Sequence, residues 1–104
     1  MNLKKSAIAA LVAAAVVAPA MTSANEELAR NKNCLACHKV DVKLVGPAFQ
    51  EIAAKYKGDA AAAENLATKV KEGGDGAWGQ IPMPPNPQVS DDEAKTLVEW
   101  IMSL

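Results

Sequence analysis

The chain has few of the residues that usually stabilise a small protein: two cysteines, one histidine and four aromatic side chains among 104 residues. The cysteines are only three positions apart, so a disulfide between them would close almost no loop and would stabilise little. An excess of basic residues is also lacking, since eleven Lys and Arg face twelve Asp and Glu. This balance argues against binding to nucleic acid, because no basic stripe is present to neutralise phosphates.

The first 24 residues have the layout of a secretory signal peptide. Two lysines precede an uninterrupted apolar run at residues 7–18, and small residues follow up to Ala24. A spanning helix needs about 20 apolar residues, so a membrane anchor is the weaker interpretation and we expect no stable membrane insertion. Cleavage after Ala24 is favoured over cleavage after Ala20, because Pro19 lies within the alternative site.

Removal of residues 1–24 leaves one small domain, residues 25–104, which we expect in the periplasm. The two N-terminal lysines are lost, and the net charge becomes about −3. A domain of this size buries little apolar surface and usually needs additional stabilisation from a disulfide, a metal or another bound group. Disulfides are the usual source of this stabilisation in exported proteins, but a bond between these two cysteines would stabilise the fold little. Something other than the chain's own side chains must therefore fill the core.

The mature chain is predicted to be all-α, with about four helices and one long loop. Asn25 and Asp59 are predicted caps, and Ser90-Asp91-Asp92-Glu93 has the form of a capping box. Residues 40–44 alternate like a strand but have no partner, so they are predicted to form an extended loop. The predicted helices run from Asn25 toward the cysteines, over residues 48–57, over residues 60–72, and from Ser90 into the C-terminal segment.

Residues 73–89 are rich in residues that interrupt helices and strands. Four glycines lie in their first half and four prolines in their second half. No helix or central strand tolerates this density of breakers. A long segment without regular structure in so small a domain is typical of a functional loop.

Cys34-Leu35-Ala36-Cys37-His38 is the strongest chemical signal in the chain, because C-x-x-C-H marks covalent attachment of haem c. On a helical turn the three side chains share a face, which suits two thioether bonds and an imidazole ligand to the iron. A thioredoxin-like dithiol would need a βαβ framework, which the pattern does not offer. A structural zinc site needs four ligands, and the two cysteines and His38 supply three. A plain disulfide beside a bystander histidine would leave the core unfilled.

The iron of a haem held by His38 would take a second axial ligand, and methionine is the candidate because no second histidine exists. Met83 lies between Pro82 and Pro84, which fix the backbone and make the segment stiff before folding. Met102 lies on the apolar C-terminal helix, where filling the core is its more ordinary role. We therefore expect His38 and Met83 to bind the iron. This ligation favours a high reduction potential and leaves no open position for substrate.

The mature sequence resembles the small bacterial class I cytochromes c of the c-551/c-552 type over nearly all of residues 25–104. Trp-Gly-x-x-Pro-Met-Pro-Pro is more specific than C-x-x-C-H alone. The resemblance implies an all-α class I cytochrome c fold, with about four helices around one covalently attached haem. The shared segments are Asn33-Cys34-Leu35-Ala36-Cys37-His38, Val45-Gly46-Pro47-Ala48, Ala77-Trp78-Gly79-Gln80-Ile81-Pro82-Met83-Pro84-Pro85-Asn86 and Trp100-Ile101-Met102-Ser103-Leu104.

The resemblance also implies roles for residues around the haem. The carbonyl of Pro47 would accept the imidazole N–H of His38. The side chain of Asn86 would hydrogen-bond near the Met83 sulfur. Trp78 would donate its indole N–H to a haem propionate, with simple packing as the alternative. Lys69 occupies a position where relatives often have an arginine facing a propionate; lysine keeps the positive charge but loses the bidentate contact.

The resemblance implies a one-electron carrier rather than an enzyme, and we expect the carrier to be a monomer. Its partners would be redox proteins such as a terminal oxidase, a nitrite reductase, a peroxidase or an upstream cytochrome complex. They would dock on an apolar patch around the haem edge. A haem peroxidase or gas sensor would need an open iron position, and a dithiol oxidoreductase would carry no haem. The apolar docking patch is expected to include Val45, Ile81, Pro84 and Pro85. Separately, Phe49 occupies a position that is often filled by tyrosine in the family.

Overall fold

The computed structural model describes residues 23–104, which form a helical domain and contain no strand. The all-α fold class is confirmed. Most of the predicted signal peptide lies outside the described residues. Within them, no helix combines the length and apolar character that a membrane crossing needs. The elements are α1 (Ala24–Asn31), a 3-10 turn (Cys34–Ala36), α2 (Phe49–Lys55), α3 (Ala62–Glu72) and α4 (Asp91–Met102).

Helix α1 begins earlier than the sequence predicted, and its cap is Ser23 rather than Asn25. The Ser23 hydroxyl accepts a hydrogen bond from the Glu26 N–H at 3.1 Å, while Asn25 lies inside the first turn. Both residues favour N-cap positions, so local preference alone did not separate them. Glu26 and Glu27 lie in the first turn, where the helix dipole favours negative charge.

Helices α2 and α3 are shorter than predicted, because a turn replaces residues 56–61. Helix α2 ends at Lys55, and Gly58 adopts a φ of +81° that favours glycine. Asp59 does cap, but it caps this turn: its carboxylate accepts from the Ala61 N–H at 2.9 Å. Helix α3 starts at Ala62 with no side-chain cap, so the predicted start at residue 60 was wrong.

Helix α4 is the scaffold of the domain, since it contacts α1, α2 and α3. Its predicted capping box is confirmed: Ser90 accepts from the Glu93 N–H, and Glu93 accepts from the Ser90 N–H. One face of α4 is buried. Its buried residues are Ala94, Leu97, Val98 and Ile101. Ala29 of α1 and Val89 pack with this face to form the core cluster.

The loop over residues 73–89 contains no helix or strand, as predicted. Its only regular pairing among the described residues is one antiparallel bridge between Gly74 and Met83. The Asn86 N–H donates to the Lys71 carbonyl of α3, and Val89 is buried in the core just before α4 begins. The loop is therefore fixed at both ends by the helices that flank it.

Candidate cofactor site

The helices and the loop over residues 73–89 enclose a cavity of about 410 Å³. This volume lies in the range of about 300–1,000 Å³ that is usual for cofactor and ligand sites. Its walls are mostly apolar and include Phe49 and the buried face of α4. The chemically active side chains on its walls are Cys34, Cys37, His38, Lys69, Trp78, Met83 and Asn86.

The hydrogen bond made by His38 fixes the tautomer of its imidazole. Nδ1 lies 2.7 Å from the carbonyl oxygen of Pro47. A carbonyl can only accept, so Nδ1 carries the proton and donates it. The lone pair of Nε2 is then free to bind a metal, and the hydrogen bond increases the basicity of the ring.

Two residues, Phe49 and Gly46, set the orientation of the His38 ring. Neither was predicted from the sequence to contact His38. The Phe49 ring stacks on the imidazole, with 5.1 Å between centroids and 21° between planes. Gly46 approaches so closely that a Cβ built on it would lie 2.5 Å from Cε1 of His38. His38 is buried between these neighbours. The glycine before Pro47 was the signal that could have revealed this close approach.

Of the two methionines in the described part of the chain, Met83 lines the cavity and Met102 does not. Met102 is half-buried near the end of α4. Met83 is also half-buried, and its backbone pairs with Gly74. The structure therefore places the imidazole of His38 and the thioether of Met83 on the walls of the same cavity.

The Asn86 amide is directed to backbone carbonyls. Its Nδ2 donates to the carbonyl oxygens of Val70 at 2.8 Å and Pro84 at 3.2 Å. Both amide hydrogens are used in this way, and the expected bond near the Met83 sulfur is not among the hydrogen bonds of the described residues. The contact to sulfur stays a prediction.

Trp78 lies at the rim of the cavity and is 41% exposed. The ammonium of Lys55 lies 4.5 Å from its ring centroid, and it also donates to the Ala77 carbonyl at 2.8 Å. A cation over an indole face at an exposed site stabilises by about 0.5–1 kcal/mol. Lys69 lines the cavity as well, with its stem against Gly74. No sequence pattern indicated the role of Lys55, because it depends on contact between two distant segments.

The residues on the cavity walls fit a covalently attached haem. No disulfide joins Cys34 and Cys37, and burial raises the pKa of the Cys34 thiol. The 3-10 turn brings them together with His38, whose N–H donates to the Cys34 carbonyl at 3.0 Å. No group of three or more His, Cys, Asp or Glu suited to a metal ion exists within residues 23–104, which gives no support to the zinc alternative. The fold and site thus define a small helical haem protein.

The cytochrome c family model matches residues 23–104, and the chain belongs to this family. It is 60% identical over 78 residues to cytochrome c-551 of Azotobacter vinelandii, with 75% of this chain and 94% of that protein covered. It is 47% identical to cytochrome c-552 of Nitrosomonas europaea, with 98% and 99% covered. The crystal structure of Nitrosomonas europaea cytochrome c552 superposes with a TM-score of 0.73 at 56% identity, covering 75% of this chain and 96% of that one.

These similarities confirm the expected resemblance to the c-551/c-552 type and the class I cytochrome c fold. The chain is therefore a monohaem electron carrier and not an enzyme. Its haem c is attached covalently through the cysteine pair, Cys34 and Cys37. Redox proteins are its partners.

Proposed function

We propose that this protein is a periplasmic one-electron carrier of a respiratory chain, with His38 and Met83 as the axial ligands of its haem iron. The observation that carries the proposal is the hydrogen bond between Nδ1 of His38 and the Pro47 carbonyl. Nδ1 donates in this bond, so Nε2 of the same ring is free to bind the iron in the cavity that Met83 also lines. The haem, when bound, supplies the centre that gains and loses one electron.

The chain contributes by holding that centre with little rearrangement. Pro47 and Phe49 keep the imidazole of His38 in one orientation. The Met83 thioether favours the reduced state and raises the reduction potential. Apolar walls act in the same direction, since the oxidised centre carries one more positive charge. With both axial positions filled by the protein, neither oxygen nor substrate has an open site.

Trp78 and Lys69 are proposed to hold the propionates. Both line the cavity. The indole N–H of Trp78 is a donor without acceptor capacity, and the ammonium of Lys69 supplies a positive charge. Lysine cannot make the bidentate contact that arginine makes, so we assign the weaker hold to Lys69.

Partners are proposed to dock on the apolar surface at the rim of the cavity. Val45 is 50% exposed and Ile81 is 70% exposed. Pro84 and Pro85 are also exposed, and all four residues line the cavity. Electron-transfer encounters bury small, weakly bound interfaces, for which such a patch is adequate. We propose a terminal oxidase, nitrite reductase or peroxidase as the acceptor and an upstream cytochrome complex as the donor. The carrier itself is proposed to be a monomer.

Export is proposed to place the protein in the periplasm. Residues 1–24 are the proposed signal peptide, and cleavage after Ala24 would leave a mature domain of residues 25–104. Intact-mass measurement of the protein purified from periplasm tests this. The expected mass is that of residues 25–104 plus one haem.

The axial ligands are tested by replacing Met83 and Met102 separately with leucine. A weak near-infrared band reports the bond between methionine sulfur and ferric iron. We expect Met83→Leu to remove this band, to lower the reduction potential and to admit carbon monoxide to the reduced protein. Met102→Leu is the matched control and should retain the band, because Met102 does not line the cavity.

The opposite result would assign the sixth position to Met102 and overturn the proposal. Rapid binding of carbon monoxide by the unmodified reduced protein would show an open iron position. That result would instead favour a haem enzyme or gas sensor.

A further inference from the structure

The backbone of Met83 is held by two hydrogen bonds that do not involve its sulfur. Its N–H donates to the Gly74 carbonyl at 2.7 Å, and its carbonyl accepts from the Gly74 N–H at 3.0 Å. Residues 82, 84 and 85 are prolines and have no N–H. Met83 therefore carries the sole backbone donor of residues 82–85, and that donor is used to pair with Gly74.

Gly73 brings the segment around Met83 against the end of α3. Its φ is +75°, a left-handed conformation that favours glycine. A Cβ built on it would lie 2.4 Å from the Met83 carbonyl oxygen and 2.9 Å from the Pro85 nitrogen. These neighbours are backbone atoms, which cannot rotate away as a flexible side chain can. Gly73 is thus required both for its φ and for the space it leaves.

Asn86 joins the same segment to the last turn of α3. Its backbone N–H donates to the Lys71 carbonyl at 3.0 Å, and its amide donates to the Val70 carbonyl at 2.8 Å. Gly73 itself donates to the Lys69 carbonyl at 2.8 Å. The final carbonyls of a helix have no partner within the helix. Here Gly73 and Asn86 satisfy three of them in succession.

We propose that Gly73, Gly74 and Asn86 form a backbone clamp that positions the Met83 sulfur for the haem iron, and that the clamp holds whether or not the iron binds sulfur. The inference rests on the proposed function, in which Met83 is the axial ligand. In this arrangement Gly73 is a positioning residue. The end of α3 fixes the backbone of Met83, and only the side chain of Met83 remains to reach the iron.

The first test compares Gly73→Ala with Gly58→Ala. Gly58 has nearly the same φ, +81°, but a Cβ there would meet nothing within 4 Å. Both variants place an alanine at a positive φ, but only Gly73→Ala places a Cβ against the backbone of the clamp. We expect Gly73→Ala to weaken the near-infrared band and to bind imidazole at the ferric iron at least about tenfold more tightly than Gly58→Ala, the factor that corresponds to about 1.4 kcal/mol. Equal imidazole affinity in the two variants would overturn the proposal.

The second test uses the unmodified holoprotein and needs no variant to fold. Amide hydrogen exchange of Met83 is measured by NMR in the ferric protein, with and without enough imidazole to displace the sulfur from iron. We expect the Met83 N–H to stay protected in both conditions, because its partner is Gly74 and not the haem. Exchange as fast as that of the open loop residue Gln80 once imidazole binds would show that the iron–sulfur bond holds the segment, and the clamp would be rejected.

These outcomes are separable from failure of the proposed ligation. If the unmodified protein lacks the near-infrared band, Met83 is not the ligand and the proposed function is wrong. If the band is present but Gly73→Ala behaves like Gly58→Ala, the ligation stands and the clamp alone is wrong.

Discussion

The two sides of the candidate haem site are held by different means. On the His38 side, residues 33–49, a ring is fixed by a stacked ring, by one carbonyl and by the close approach of Gly46. On the Met83 side, residues 73–89, the backbone is fixed to the end of α3 and the side chain is left to reach. Side-chain packing sets an orientation, whereas backbone hydrogen bonds set a position. An imidazole is rigid and needs its plane controlled, whereas a flexible thioether needs the position of its backbone controlled.

The largest effect is expected where packing on the His38 side is removed. Phe49 is 3% exposed, stacks on His38 and meets the Trp100 ring edge-on at 5.5 Å. Phe49→Ala should lower the free energy of unfolding by about 3–5 kcal/mol. Phe49→Leu retains most of the buried volume and should cost less than half as much, as measured by denaturant unfolding of the holoprotein.

A matched change on the Met83 side sharpens this difference. Ile81 is 70% exposed, so Ile81→Ala should alter the free energy of unfolding by no more than about 0.5 kcal/mol. A loss of several kcal/mol from Ile81→Ala would show that this side also depends on side-chain packing, and the contrast between the two sides would fail.

The next largest effect is expected at Gly46. Gly46→Ala forces its new methyl group against the His38 ring, and overpacking of this kind costs about 1–3 kcal/mol. We expect the imidazole plane to rotate, which changes the pattern of haem methyl shifts in the NMR spectrum of the ferric protein. Gly58→Ala is the control, because Gly58 does not line the cavity and its Cβ would meet nothing within 4 Å. An unchanged methyl pattern in Gly46→Ala would show that the Pro47 hydrogen bond and the Phe49 ring orient the imidazole without the close approach of Gly46.

The smallest effect is expected at the polar contacts between the segment just before the cysteines and the start of α4. Lys32 lies just before the cysteines; its ammonium donates to the Gln88 carbonyl at 3.1 Å and pairs with Glu93 at 3.2 Å. The Ser90 backbone N–H, followed by Lys32, lowers the pKa of the Glu93 carboxyl. A lowered folded-state pKa stabilises the fold above the ordinary value of about 4.5 and loses that contribution as pH falls through the folded value.

The Tm of the unmodified protein should therefore fall slightly more than that of Glu93→Gln when the pH is lowered from 6 to about 3. The measurement is a series of thermal unfolding curves on the two holoproteins. Parallel pH dependence in the two proteins would show that Glu93 contributes nothing through its charge.

The sequence predicted the parts of this site that depend on local pattern. Cys34, Cys37 and His38 lie within five residues of one another, and Met83 lies between two prolines. Short stretches of sequence were therefore enough to identify them. The capping box of α4 was found for the same reason. Helix ends were harder, because Ser23 and Asn25 have similar cap preferences and only the folded chain chooses between them.

The remaining parts could not be predicted from local pattern, since they depend on two distant segments meeting. Gly73 was expected to end helix α3. Nothing in the adjacent sequence indicated that the backbone of Met83 lies against it. Lys55 read as an ordinary exposed residue of α2 until the fold placed Trp78 under its ammonium. Such contacts are decided by loop paths, which residue preferences specify weakly.

The Ser23 cap has a consequence for how the first helix changes during maturation. Under the proposed cleavage after Ala24, the hydroxyl that accepts from Glu26 departs with the signal peptide. The new α-ammonium of Asn25 would then face the positive end of the helix dipole, with Glu26 and Glu27 left to offset it. The precursor would thus carry a better-formed first turn than the mature carrier, whose α1 would rely on Ala29 and Lys32 to stay in place.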